Sequence, residues 1–208
     1  MPNQYINEFL RLKCAPELIE WKLFPNAKEI TESIGCYNAV LHYIVEKESE
    51  LNVPIKLNDP TINLVSVGDG STPRTAALFA MRSAWHCYSV DPNANGKDYL
   101  QIKRLTIIKK KIENCGDTLH FTSPCIIVCV HSHAPLDAVL NKIKSPVIHL
   151  IAIPCCVPYN INRPYIGYED KDIHSPKNEV RVWLNMQEKI GKIDAEITEA
   201  EDIASSKE

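Results

Sequence analysis

The sequence predicts an α/β protein: a Rossmann-like, doubly wound and mainly parallel sheet with an N-terminal helical extension. Three observations carry this. The apolar run Leu64-Val65-Ser66-Val67 ends in Gly68-Asp69-Gly70, a helix start follows at Ser71-Thr72-Pro73, and a second strand-like run, Trp85 to Val90, ends in Asp91. Strand, glycine turn, helix, strand and carboxylate in that order form the opening unit of a doubly wound fold. Asp91 lies 21 positions after Gly70, and a carboxylate about 20 residues past such a turn accepts hydrogen bonds from a ribose diol.

The first strand is expected over 62–67 and the helix after it over 73–83, with Thr72 as N-cap and Pro73 at the first helical position. A second strand spans 85–90 and a loop follows to Gly96. Residues 104–112 carry both signals, since Thr and Ile favour a strand while the lysine run suits a helix. The central strand is 125–130, bounded by Pro124, and the helix 135–144 places Leu136, Val139, Leu140 and Ile143 on one face. A further strand, 147–153, stops at Pro154, and Glu179 to Leu184 alternates as a late strand. Upstream, Tyr37, Val40, Leu41, Ile44 and Val45 fall at the spacing of one apolar helix face. The chain therefore divides into a helical extension over 1–59, a Rossmann-like unit over 60–187 and an acidic tail over 188–208.

Composition narrows the function classes. The 208 residues are 45% hydrophobic, enough for a substantial core. No apolar run approaches the roughly 20 residues of a membrane helix, and Met1 to Lys13 does not read as a secretory signal. Eight cysteines are scattered, several inside apolar runs. That usage fits buried thiols in a reducing compartment, so the expected location is cytoplasmic. The net charge of −3 conceals an uneven distribution. Between Lys97 and Lys111 lie five lysines and one arginine against a single acid, a segment able to contact RNA.

Ligands of open parallel sheets bind beyond the carboxyl ends of the strands. The central strand runs into His131-Ser132-His133, and the next runs into Pro154-Cys155-Cys156. His131 and His133 are the candidate proton acceptors, since imidazole titrates near neutrality. On an extended backbone, two histidines separated by one serine point the same way. Two other roles remain open. The histidines and cysteines have zinc-binding chemistry, although adjacent cysteines depart from the usual spacing. Either thiol could also act as a nucleophile. The expectation adopted is no metal, with the cysteines packing at the top of the sheet.

On Val67-Gly68-Asp69-Gly70, Ser89-Val90-Asp91 and the two strand ends, residues 60–157 resemble a class I S-adenosylmethionine-dependent methyltransferase domain. The resemblance is greatest to groups whose fourth strand enters a short His-containing segment and whose fifth enters Pro-Cys-Cys. It implies S-adenosylmethionine as cofactor, with Gly68, Asp69 and Gly70 beside its methionine and ribose part and Asp91 on the ribose diol. Ser66 stands where the family carries an acid, and no Asn/Asp-Pro-Pro-Tyr follows the fourth strand. The alternatives are a non-catalytic binding or regulatory subunit and a dinucleotide-binding protein. The latter fits less well because Pro73 occupies the place of the third glycine in Gly-x-Gly-x-x-Gly.

Overall fold

The strands described by the computed structural model assemble into one seven-stranded sheet. Residues 3–47, 53–95, 99, 101–156, 159 and 161–186 are described. The strands are β1 (Asn63–Val67), β2 (His86–Val90), β3 (Leu105–Ile108), β4 (Cys125–Val130), β5 (Ile148–Ile153), β6 (Ile166–Glu169) and β7 (Glu179–Trp183). Their spatial order is β3-β2-β1-β4-β5-β7-β6. β1 pairs in parallel with β2 and β4, β2 with β3, and β4 with β5, while β7 runs antiparallel between β5 and β6. Strand order reverses between β1 and β4, which opens a crevice at their carboxyl ends.

Side-chain parity explains the two layers. On β4, Ile126, Val128 and Val130 face one hydrophobic cluster, while Cys125, Ile127 and Cys129 face the other. Strands buried on both faces are nearly all apolar, and β4 and β5, buried at every position, carry one polar side chain between them, that of His149. Cys125 and Cys129 serve here as small hydrophobes; burial pushes the Cys129 thiol up to about 12 and the Cys125 thiol in the same direction.

The helices α1 (Gln4–Leu10), α2 (Ala15–Glu20), α3 (Ala27–Val40) and α4 (Arg74–Arg82) pack in the first cluster, and α5 (Leu136–Lys142) packs in the second. Asn3 and Asn26 cap α1 and α3 by accepting from the amides of Ile6 and Glu29, at 3.1 Å each. α3 continues as a π-helical turn over Leu41–Glu46, so the apolar face expected across 37–45 is α-helical only to Val40. Tyr37, Val40 and Ile44 are still buried. Tyr37 packs on Phe79, and Phe79 stacks on Trp85 with centroids 5.9 Å apart. α3 also touches α4 by a hydroxyl pair, Ser33 to Thr75, at 3.1 Å.

Two expectations at the start of α4 are corrected. Thr72 does not cap α4: its hydroxyl donates to the Leu23 carbonyl at 2.7 Å, and Pro73 occupies the N-cap position rather than the first helical one. The helix takes its cap from Asp69 instead. Of the two signals in 104–112 the strand prevails, as β3, and a 3-10 turn over Ile112–Asn114 begins at the segment's last residue. Arg104, within the basic run, donates to the Ala80 and Ser83 carbonyls at the end of α4, where a cation suits the exposed carbonyls. Strand β6 has no counterpart among the sequence expectations. Lys97 and the acidic tail from Glu188 lie outside the described residues.

His149, fully buried on β5, accepts at Nδ1 from the Asn185 amide at 3.4 Å, and its Nε2 has no hydrogen-bond partner among the described residues. Burial pushes its ring down to about 4 from an ordinary 6.5. Between those values the unfolded chain binds a proton that the folded chain refuses, so stability falls as pH falls through this window. His149 alone is expected to make the protein about 2 kcal/mol less stable at pH 5 than at pH 7. Urea denaturation at both pH values checks this against His149→Leu, which should lose that share of the difference. Equal pH dependence in the two proteins would remove His149 from the account.

Candidate functional site

The register sets the site. Val67 pairs with Val90, so Gly68 and Asp91 leave the sheet side by side, and the Gly68 amide donates to the Val90 carbonyl at 2.8 Å. The Asp91 carboxylate accepts from the Gly70 amide at 3.0 Å and from the Asn93 amide at 2.7 Å. Each of its oxygens has a second lone pair left for a ligand. Gly68 and Gly70 have φ of 74° and 87°, values at which a β-carbon is strained. At Gly68 a β-carbon would also lie 2.8 Å from the Ser132 Cβ and 2.9 Å from its Cα. This glycine therefore allows the end of β1 to lie against the end of β4.

Asp69 is turned the other way. Its carboxylate accepts from the amides of Thr75 and Ala76, at 3.0 and 3.1 Å, and from the Ser89 hydroxyl at 3.1 Å. It is buried, it caps α4 where the helix dipole favours negative charge, and it locks the turn to β2. Sequence reading grouped it with Gly68 and Gly70; in the fold it holds them from behind.

A cleft of about 370 Å³ opens above this turn, within the range of small-molecule sites. Gly68, Asp91 and Asn93 form one wall, Lys110, Lys111 and Glu113 a second, and His131 and His133 a third. Both histidines thus border the cleft, but they do not form the expected matched pair. His131 adopts φ of 49°, in the left-handed region, so the segment is not extended and the two rings meet different partners. Its Nε2 lies 3.1 Å from Glu32 Oε1 on α3, a close polar contact whose angle falls outside hydrogen bonding. His133 is exposed, with Nε2 3.4 Å from the Cys156 sulfur.

Glu32 is the residue that sequence reading missed. It is buried on α3 and also contacts Lys28 at 3.2 Å. Burial opposes its ionisation, yet His131 and Lys28 outweigh that and hold its carboxyl below the ordinary value. Its neighbours in the chain carry no signal: Glu32 sits between the polar Thr31 and Ser33, and only the fold buries all three. Tyr159 was missed as well. Its hydroxyl donates to the Ser132 carbonyl at 3.0 Å and ties the segment after β5 to the one after β4.

No protein-family model and no curated protein matches the chain. Solved structures do. A mutant of MtNAS superposes with a TM-score of 0.50 at 11% identity, covering 88% of this chain and 69% of that one. The antibiotic-resistance methyltransferase Kmr gives 0.40 at 11% identity over 59% of this chain and 86% of that one. The 16S rRNA (adenine(1408)-N(1))-methyltransferase of Catenulisporales acidiphilia, solved with its cosubstrate SAM, gives 0.32 at 20% identity over 43% of this chain. The matched part spans about half of that enzyme, 54% of its length. Strand order and the MtNAS superposition agree that the fold is the class I S-adenosylmethionine-dependent methyltransferase-like fold. Among the described residues, no helix is long and apolar enough to cross a membrane.

Proposed function

We propose that this chain is an S-adenosylmethionine-dependent methyltransferase acting on an RNA or a small molecule in a reducing, cytoplasmic compartment. The observation that carries the reading is Asp91 at the tip of β2, joined to the Gly70 amide and bordering an open cleft at the switch point. Asp91 receives the ribose diol, Gly68 and Gly70 give the backbone a close approach, and Asp69 keeps the turn rigid through the α4 amides. When bound, the cofactor supplies a methyl group already activated on sulfonium, so the protein's task is alignment and exclusion of water.

His131 is the proton acceptor in this reading. Glu32 lies 3.1 Å from Nε2 and steadies the ring from α3. A residue kept in a left-handed conformation beside a reactive cleft fits such a constraint. His133 stands at the outer wall beside the acceptor. Lys110 and Lys111, exposed and lining the cleft, suit an acceptor carrying phosphate. The eight free cysteines fit a reducing compartment. An open cleft also favours an enzyme over a binding subunit, whose site would be filled.

The test is transfer of labelled methyl groups from S-adenosylmethionine to fractions of a cell extract. Label should enter the RNA or small-molecule fraction. His131→Ala should lower incorporation by about 10²-fold, the scale of a lost general base, with folding and cofactor affinity retained. Glu32→Gln should lower it less and shift its pH profile. No incorporation into any fraction by the intact protein would favour the non-catalytic alternative.

A further inference from the structure

Sequence reading expected no metal and left the two cysteines as packing residues. The fold brings them against a histidine from another strand. His133 follows β4, and Cys155 and Cys156 follow β5, its parallel neighbour. One ligand atom from each of the three lies within 4.8 Å of the other two, and the His133 Nε2 to Cys156 Sγ distance is 3.4 Å. Zinc–nitrogen and zinc–sulfur bonds of about 2.0 and 2.3 Å place tetrahedral ligands about 3.5 Å apart. The trio therefore needs only a small contraction.

Adjacent side chains on an extended strand point to opposite faces, so neighbouring cysteines ordinarily cannot share an ion. Here the strand ends at Ile153, the backbone bends at Cys156, and both sulfurs lie within 4.8 Å of a ring nitrogen of His133. The two segments are held together by contacts that involve none of the three ligand atoms. Tyr159 donates to the Ser132 carbonyl at 3.0 Å and the His131 amide continues the ladder to the Ile153 carbonyl at 2.9 Å, while Lys177 Nζ, from the segment before β7, donates to the Cys155 carbonyl at 2.6 Å. The cluster is half-buried to exposed; His133 lines the first cleft, and Cys155 and Cys156 line a second cavity of about 480 Å³ with Glu169, Lys177, Glu179 and Arg181. A fourth coordination position thus remains open to water or to a soft donor atom of a ligand.

We propose that His133, Cys155 and Cys156 form a zinc site with one open position at the rim of the cleft. Two sulfurs and one imidazole make a soft donor set suited to Zn²⁺ and unsuited to Mg²⁺ or Ca²⁺. Binding forms two Zn–S bonds and one Zn–N bond and releases the two thiol protons to solvent. With three protein ligands and an open position the site has the composition of catalytic rather than structural zinc. It goes beyond the methyltransferase reading and stands without it.

The experiment uses the full chain, reduced, stripped with chelator and titrated with Co²⁺ and then with Zn²⁺ against a chromogenic competitor. The site predicts stoichiometric binding, intense tetrahedral cobalt bands with thiolate-to-cobalt charge transfer, and displacement by Zn²⁺. His133→Ala, Cys155→Ser and Cys156→Ser should each weaken Zn²⁺ binding by at least about 100-fold, more than loss of an outer partner costs. His120→Ala and Cys115→Ser, remote from the cluster, should leave it unchanged. Circular dichroism follows folding of each variant, and the cobalt spectrum of the unmutated chain needs no variant. An octahedral, charge-transfer-free cobalt spectrum, or Zn²⁺ affinity indifferent to His133→Ala and Cys156→Ser, would overturn the site. S-adenosylhomocysteine binding measured on the same stripped protein separates failure of the zinc site from failure of the cofactor reading.

Discussion

Replacing Asp91 with alanine is expected to weaken S-adenosylhomocysteine binding by about 100-fold or more. The carboxylate is almost wholly buried and fixed by the amides of Gly70 and Asn93, so its free lone pairs are aimed before any ligand arrives. Hydrogen bonds to a charged acceptor contribute about 1.5–3 kcal/mol each, and a ribose diol offers two. The alanine variant also releases the Gly70 amide, which loosens the turn on the cleft floor. Asp91→Asn should fall between, since one amide oxygen still accepts. Calorimetric titration measures all three proteins; affinity unchanged in Asp91→Ala would place the diol elsewhere.

The second large effect is on stability. Gly68→Ala is expected to destabilise the fold by about 3 kcal/mol, combining left-handed strain with overpacking. The added carbon meets the Ser132 backbone, which cannot swing aside as a flexible side chain does. For a chain of this size the melting temperature should fall by roughly 10 °C. Adding Ser132→Gly removes the Cβ and Oγ clashes but not the Cα one, so it should recover part of the loss. Thermal unfolding followed by circular dichroism is the check. A Gly68→Ala protein melting with the parent would show that the two strand ends can separate freely, and the close approach of β1 to β4 would lose its structural meaning.

Much of the fold was legible because burial on both faces leaves a strong trace. β1, β4 and β5 are short apolar runs cut off by Gly or Pro, and β2 ends at Asp91-Pro92, so the structure moves their limits by only a residue or so. β6 was not legible. Ile166-Gly167-Tyr168-Glu169 is short, exposed at the sheet edge and held through its antiparallel neighbour β7. The cap of α4 was misassigned because Thr72 and Asp69 are both good capping residues, and only the turn geometry sends Asp69 to the helix and Thr72 to Leu23.

At the site, local pattern located residues better than it oriented them. Gly68, Asp91, His131 and His133 all border one cleft, as their positions at strand ends suggested. The matched orientation of the histidines failed because it assumed an extended backbone, whereas His131 sits at positive φ and reaches back to Glu32. Glu32 lies 99 positions earlier in the chain, and nothing in its neighbourhood encodes the partner. The convergence of His133 with Cys155 and Cys156 is likewise a product of parallel pairing between β4 and β5 and of one bend. Contacts of that kind depend on topology, which spacing along the chain does not carry.

The crevice between β1 and β4 is expected to take S-adenosylmethionine through the Gly68 turn and Asp91, and calorimetric titration of the full chain with S-adenosylhomocysteine and, separately, with NAD checks this. Stoichiometric binding of S-adenosylhomocysteine is expected, abolished or weakened about 100-fold by Asp91→Ala, with no heat from NAD. Saturable NAD binding with no response to S-adenosylhomocysteine would contradict it and make the chain a dinucleotide-binding protein.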